Sequence, residues 1–205
     1  MSLFQTLTEK PWLAGQGAVV DLHAGPAFRM PKVTLGLRIF LGVVTVVFSL
    51  LLAAYVDRMA FADWRPIPEP LLLWINTALL IAGSISLEWA RSGTRRGDMD
   101  RVRVGLLAAG VFTVSFLVGQ VIAWLQLTGT DYFAITNPAI GFFYLITALH
   151  GLHILGGLVA WGRTTKKMRH GSGVDEIRLS VELCAIYWHF LLLVWLVVFA
   201  LMLLT

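Results

Sequence analysis

Charge is what this chain has least of. Of its 205 residues, 14% are Asp, Glu, Lys or Arg, against about 25% in an ordinary soluble domain. So few charges cannot cover a water-facing surface, which excludes a soluble enzyme, a disordered tail and a nucleic-acid-binding domain. The net charge of +4 does not restore the last of these, because the basic residues fall in short clusters between apolar runs. Cysteine is nearly absent. A lone Cys184 excludes an internal disulfide framework and a multi-cysteine zinc or iron–sulfur site, and reads as a small packing residue. Catalytic signatures are missing too. There is no phosphate-binding glycine loop, no His-Glu-x-x-His pair and no Gly-x-Ser-x-Gly elbow. No internal repeat of the kind many transporters show is evident.

Hydrophobicity is what the chain has instead: 58% apolar residues and a mean hydropathy of +0.77. A bilayer core about 30 Å thick takes roughly 20 apolar helical residues to cross. Five runs qualify: Leu35–Val56, Leu71–Ala90, Val104–Leu127, Ile140–Trp161 and Val181–Leu204. They are continuous, without the two-residue alternation of a membrane barrel. The fold class is therefore all-α, a polytopic five-helix transmembrane bundle over residues 35–205, preceded by a tail over 1–34. The tail mixes Pro11, Pro26 and Pro31 with Gly15, Gly17 and Gly25 and has no long apolar core. It reads as irregular or surface-lying rather than as a cleaved signal, with the first span serving as its own insertion signal. Asn137-Pro138 and the Pro66, Pro68, Pro70 series open spans rather than break them.

Orientation follows from lysine and arginine. Fourteen of the sixteen lie on one side, in the tail and first-span start, around Arg91–Arg103, and around Arg163–Arg178; only Arg58 and Arg65 lie on the other. This predicts a cytoplasmic N-terminus and an external C-terminus. The basic loops serve as orientation signals and contacts to anionic lipid. Trp64, Trp74, Trp89 and Trp161 fall where an interfacial aromatic belt would place them.

Ionisable groups in hydrocarbon are costly, about 2.5–3.5 kcal/mol for a charged side chain at a helix centre, so their positions carry information. Glu88 ends the second span and Glu182 begins the fifth. Both ends are on the basic side, within reach of loop arginines such as Arg91 and Arg178. An interfacial salt bridge is one reading of the pair; a proton-collecting or subunit-docking role is the other. His153 and His189 lie eight and seven residues from Trp161 and Glu182, hence roughly 10–12 Å in from the same end, and would share a layer if their helices pack together. His150 lies three residues from His153 on a similar face. That stripe continues through Thr147, Gly157 and Ala160, and small residues let helix backbones approach. The third span has a like stripe in Ser115, Gly119 and Ala123, with Gln120 beside it as a cross-helix donor and acceptor. The three histidines either bind a metal or haem, or hydrogen-bond across helices. Asp57, Asp63, Glu69 and Asp131 fall in outer loops and read as solvated, with Glu69 also able to dock a partner.

The run from Gly141-Phe142-Phe143 through Ala148-Leu149-His150-Gly151-Leu152-His153 to Gly156-Gly157 resembles the signature helix of subunit III of haem–copper terminal oxidases. So does Glu182, followed seven residues on by His189 within Tyr187-Trp188-His189-Phe190, with Val194-Trp195 after it. Asn76-Thr77, Ser84-Ile85-Ser86 and Trp89-Ala90 are similar to the preceding helix of that family. The five-span length matches its short forms. The sequence departs from the pattern at Ala123 and Leu192, where an acidic residue is usual, and at Glu88, where an uncharged one is common.

What the resemblance implies is an accessory subunit of a respiratory oxidase in a bacterial plasma membrane, with no catalytic residue, cofactor or metal of its own. Its partners would be the catalytic subunit I, which holds the haem and copper, the other subunits, and bound phospholipid; nucleic acid is not among them. Glu88, Gln120, His150, His153, Glu182 and His189 are then structural or proton-related polar residues, and Gly119, Gly151 and Gly157 helix-packing positions. A subunit III-like accessory protein of a nitric oxide reductase is the alternative. A stand-alone haem-binding or transport protein is a third.

Overall fold

The computed structural model describes residues 32–65, 71–128, 137–171 and 173–204. Five helices follow in order: α1 (Lys32–Met59), α2 (Leu71–Arg96), α3 (Met99–Thr128), α4 (Pro138–Arg169) and α5 (Val174–Leu203). All five are long and apolar enough to cross a membrane. They have 26 to 32 residues, or about 39–48 Å at about 1.5 Å per residue. Each therefore overruns a hydrocarbon layer of about 30 Å. That is why α1 begins at Lys32, ahead of the expected Leu35, and why α4 and α5 run on through charged residues the apolar runs exclude. Glu69, Asp131, Pro66, Pro68, Pro70 and nearly all of the 1–34 tail lie outside the described residues.

Local chemistry sets the helix ends. Gly97, at φ +71°, terminates α2 in the left-handed conformation that favours glycine. The next amide, Asp98 N–H, then reaches back to the Gly93 carbonyl at 3.0 Å. Asp98 in turn accepts from the Arg101 amide at 3.1 Å, satisfying one of the free N–H groups that open α3. Asn137 caps α4, its Oδ1 accepting from the Ala139 amide, while its Nδ2 donates to the Arg65 carbonyl at 3.0 Å. Pro138 occupies the first turn, where a missing N–H costs nothing.

Helix α2 lies between α3 and α5, and α4 packs on α3 and α5. The α2–α3 seam is closed by glycine. A Cβ on Gly105 would sit 2.6 Å from the Ser86 carbonyl oxygen, and one on Gly93 2.9 Å from the Arg101 Cβ. Backbones this close recover in dispersion contact what lipid cannot supply as a hydrophobic driving force. Helix α1 is different. Only 17% of its most apolar stretch is buried, against 33–44% for the others. It rests on α4 and α5 through Val44, Phe48 and Tyr55, which pack with Ile146, Val194 and Val198. In its last turn, Arg58 pairs with Asp63 and lies 4.7 Å over the Phe61 ring. The hydrogen bond from Arg58 holds the Asp63 carboxyl below its ordinary range.

One expectation about packing is corrected. Ala160 is exposed, so the α4 stripe turns away from the bundle before reaching it. Trp161 is half-buried: its Nε1 donates to the Leu106 carbonyl at 2.8 Å, and its ring fills the space a side chain at Gly110 would need. A Cβ on Gly151 would meet Leu117 of α3 at 3.9 Å, an ordinary van der Waals contact.

Candidate functional site

The polar residues inside the bundle fall into three groups. The first is an ion-pair cluster at the end that carries Arg95 and Arg96. Arg91 donates to Glu182 at 3.0 Å and to Glu88 at 3.4 Å. One guanidinium thus ties α2 to α5 through two carboxylates, each about half-exposed. Glu88 stands three residues before Arg91 on the same helix, so its contact is the usual neighbour pairing of a helix surface. Glu182 belongs to the antiparallel α5, and its contact fixes the register of the two helices.

The second group is a set of hydrogen bonds deep in the core. Trp195 Nε1 donates to Thr77 Oγ1 at 2.9 Å, Trp188 Nε1 to Thr113 Oγ1 at 3.0 Å, and Trp124 Nε1 to Thr147 Oγ1 at 3.0 Å. These join α5 to α2, α5 to α3, and α3 to α4. In each case the threonine spends its own proton on the carbonyl four residues back: Leu73, Ala109 and Phe143 at 2.8, 2.7 and 2.6 Å. The same device recurs three times, satisfying an indole N–H that hydrocarbon cannot. Tyr187 adds a bond from its hydroxyl to the His153 carbonyl at 2.9 Å. Gln120 Oε1 accepts from Asn76 Nδ2 at 3.3 Å, joining α2 and α3. Gly119 makes room for that pair, since a Cβ there would lie 2.2 Å from Asn76 Oδ1. Gly157 likewise admits Tyr187 and Trp188, whose rings would lie 2.7 and 3.0 Å from a Cβ.

The third group is the histidines, and they part company. His150 is 1% exposed and enclosed by Phe48, Phe116 and Trp195, with ring centroids 6.3, 6.0 and 5.3 Å away. Neither of its ring nitrogens has a hydrogen-bond partner. His153 turns towards α1, against Phe40 and Phe48, with Nδ1 on the Leu149 carbonyl at 2.7 Å. His189 is exposed on the α2 side of α5, with Nδ1 on the Ala185 carbonyl. Sequence spacing gives His153 and His189 similar depths, but the helices turn them to different neighbours. Among the described residues no three histidine, cysteine or carboxylate side chains converge as a metal site requires. Cys184 is buried beside Thr164, 3.7 Å from its hydroxyl.

Sequence reasoning missed the tryptophan–threonine pairs. Each partner is an ordinary membrane-helix residue, and the pairs lie 23 to 118 positions apart. The only available signal was that a buried indole must find an acceptor.

Comparison with known proteins bears on this arrangement directly. Residues 31–204 match the family model for cytochrome c oxidase subunit III. The chain is 31% identical over 190 residues to cytochrome c oxidase subunit 3 of Thermostichus vulcanus, covering 90% of this chain and 91% of that one. It is 29% identical over 189 residues to cytochrome c oxidase subunit 3 of Synechocystis sp., covering 87% and 76%. It is also 29% identical over 192 residues to a probable cytochrome c oxidase subunit 3 of Nocardia farcinica, covering 90% and 93%. The matched region takes in all three polar groups, and the chain belongs to the cytochrome c oxidase subunit III family.

Proposed function

We propose that this chain braces the catalytic subunit I of a bacterial respiratory oxidase from within the plasma membrane, with its N-terminus in the cytoplasm. Membership of the family makes it an accessory subunit III of a haem–copper oxidase. The reading adds what it does there. Subunit I holds the haem and copper; this chain holds neither. It supports assembly, retains phospholipid, and keeps two carboxylates, Glu88 and Glu182, near the cytoplasmic side where protons enter the complex. The names of the relatives support oxygen, rather than nitric oxide, as what the complex reduces.

The observation that carries the non-catalytic reading is the fate of the histidines. Three imidazoles at membrane depth could form a ligand set, yet His189 faces α2, apart from His150 and His153, which share the Phe48 ring, and two of the three are turned onto carbonyls of their own helix. The intramembrane polar groups knit helices together instead. Purification in mild detergent through a tag on this chain tests the proposal, with mass spectrometry of the accompanying chains and a reduced-minus-oxidised spectrum. The expected result is a haem- and copper-bearing partner whose spectrum leaves with it when the two are separated. A haem spectrum that stays with this chain alone would overturn the reading.

A further inference from the structure

We infer that the groove between α2 and α5 that holds His189 is where a transmembrane helix of another oxidase subunit docks, and that this helix presents hydrogen-bond donors to it. The inference rests on the oxidase reading above and adds which face of the chain is covered.

The groove is open along its length, with a volume of about 520 Å³. Its α2 wall carries Ser84, Glu88 and Ser92, spaced four apart and therefore on one side of the helix. Its α5 wall carries His189 and Leu192. Ser84 is 3% exposed, yet its hydroxyl has no hydrogen-bond partner. His189 donates from Nδ1 to its own helix, which leaves Nε2 of the neutral ring as an outward acceptor. Glu88 is 48% exposed at the mouth, and Arg91 makes its shorter bond to Glu182. The groove thus offers two acceptors at its surface, a carboxylate and an imidazole nitrogen, while the Ser84 hydroxyl lies beneath its floor.

Depth decides between lipid and protein as the occupant. Arg91 and Glu182 touch across the two antiparallel helices. Ser84 lies seven residues from Arg91 along α2, and His189 seven from Glu182 along α5. Both are therefore about 10 Å deeper than the ion pair, at about 1.5 Å per residue. A lipid can set its headgroup at the level of the ion pair, but at the depth of Ser84 and His189 it has only acyl chain to offer. An exposed imidazole at that depth, His189, belongs against protein, where a hydroxyl, indole or amide on a neighbouring helix can meet it. By contrast, the outward side of α4 around Leu152 is apolar and suits lipid.

The test uses the whole chain expressed with the other oxidase subunits in membranes. Ile85, 65% exposed on the groove wall, is replaced by the photo-crosslinker p-benzoylphenylalanine, and Leu152, 63% exposed on α4, is replaced in a second variant. Irradiation of the Ile85 variant should join the chain to an oxidase subunit that also co-purifies with it. The Leu152 variant should give lipid adducts. In addition, His189→Leu should cut retention of that subunit through a detergent wash several-fold while leaving the thermal midpoint of the isolated chain unchanged, since His189 is exposed there. Adducts from Ile85 to phospholipid alone, or a subunit captured from Leu152 and not from Ile85, would overturn the docking face and leave the oxidase reading standing. If no oxidase subunit accompanies the tagged chain, both fall.

Discussion

The α2–α3 seam and the seat of α1 on α4 and α5 join apolar helices in opposite ways. The seam removes side chains until main chain meets main chain, with Gly105 under the Ser86 carbonyl and Gly93 against the turn that follows it. The seat adds large side chains, with Phe48 reaching both His150 and His153, and Tyr55 set edge-on to Trp64 and Phe142. The first solution tolerates no added atom. The second depends on a few anchors and leaves the rest of the helix free, so α1 has glycines, Gly36 and Gly42, that touch nothing within 4 Å. A glycine in a membrane helix is thus not by itself a packing signal. Its worth depends on what lies over it.

Substitutions can break this contrast, and the largest effect should come from Gly105→Leu. The obstructing atom is backbone and cannot rotate away, so overpacking should exceed the usual 1–3 kcal/mol and deplete folded protein. Gly42→Leu should leave it intact. The buried Cys184 supplies the readout: its thiol should label rapidly in detergent in the first variant and slowly in the second. Next in size is Phe48→Ala, which removes the principal anchor of α1. In soluble cores such a change costs about 3–5 kcal/mol. Here the loss should be local. A cysteine placed at Ile146, beneath α1, should become reactive while Cys184 stays protected; equal exposure of both would mean that α1 and the remaining helices unfold as one unit.

Smaller again is Thr113→Val, which keeps the shape and deprives Trp188 of its acceptor. Interhelical hydrogen bonds in membranes average about 0.6 kcal/mol. An unmet buried donor costs more, about 1–3 kcal/mol. A loss of about 1 kcal/mol in detergent unfolding is expected, with recovery in Thr113→Ser. The smallest effect belongs to Asp63, whose carboxyl Arg58 holds below its ordinary value. A lowered carboxyl contributes above its unfolded pKa of about 3.9, and the contribution is withdrawn as pH falls through the lower folded value. The pair is exposed, so stability should be flat from pH 7 to about 5, with Asp63→Asn matching the parent there. Carboxyl-carbon NMR of Asp63 should show a midpoint below that of a free aspartate, and Arg58→Ala should restore it.

The five spans were legible because each is a single uninterrupted apolar run, and length alone separates such a run from a strand. The ion-pair cluster was legible for a related reason. Glu88 and Glu182 end up at one level whatever the rotation of their helices, and Arg91 is near enough to reach. Rotation itself was not legible. A helix that is apolar all round has no contrast between faces, so the sequence carries depth but little direction. That is why His153 and His189 share an expected layer and yet face different helices, why Ala160 ends up outside, and why Trp195 could not be assigned to Thr77. The resemblance to subunit III carried the family, but not these contacts.

The three tryptophan–threonine pairs have a consequence for the passage of protons through the bundle. In each, the indole gives its one hydrogen to the threonine oxygen, and the threonine gives its own to a main-chain carbonyl. A carbonyl has no hydrogen to hand on, so every relay stops after two bonds, inside one helix. These contacts hold the bundle together as insulation, not wiring: they add strength across the membrane without joining into a path along which a proton could cross it.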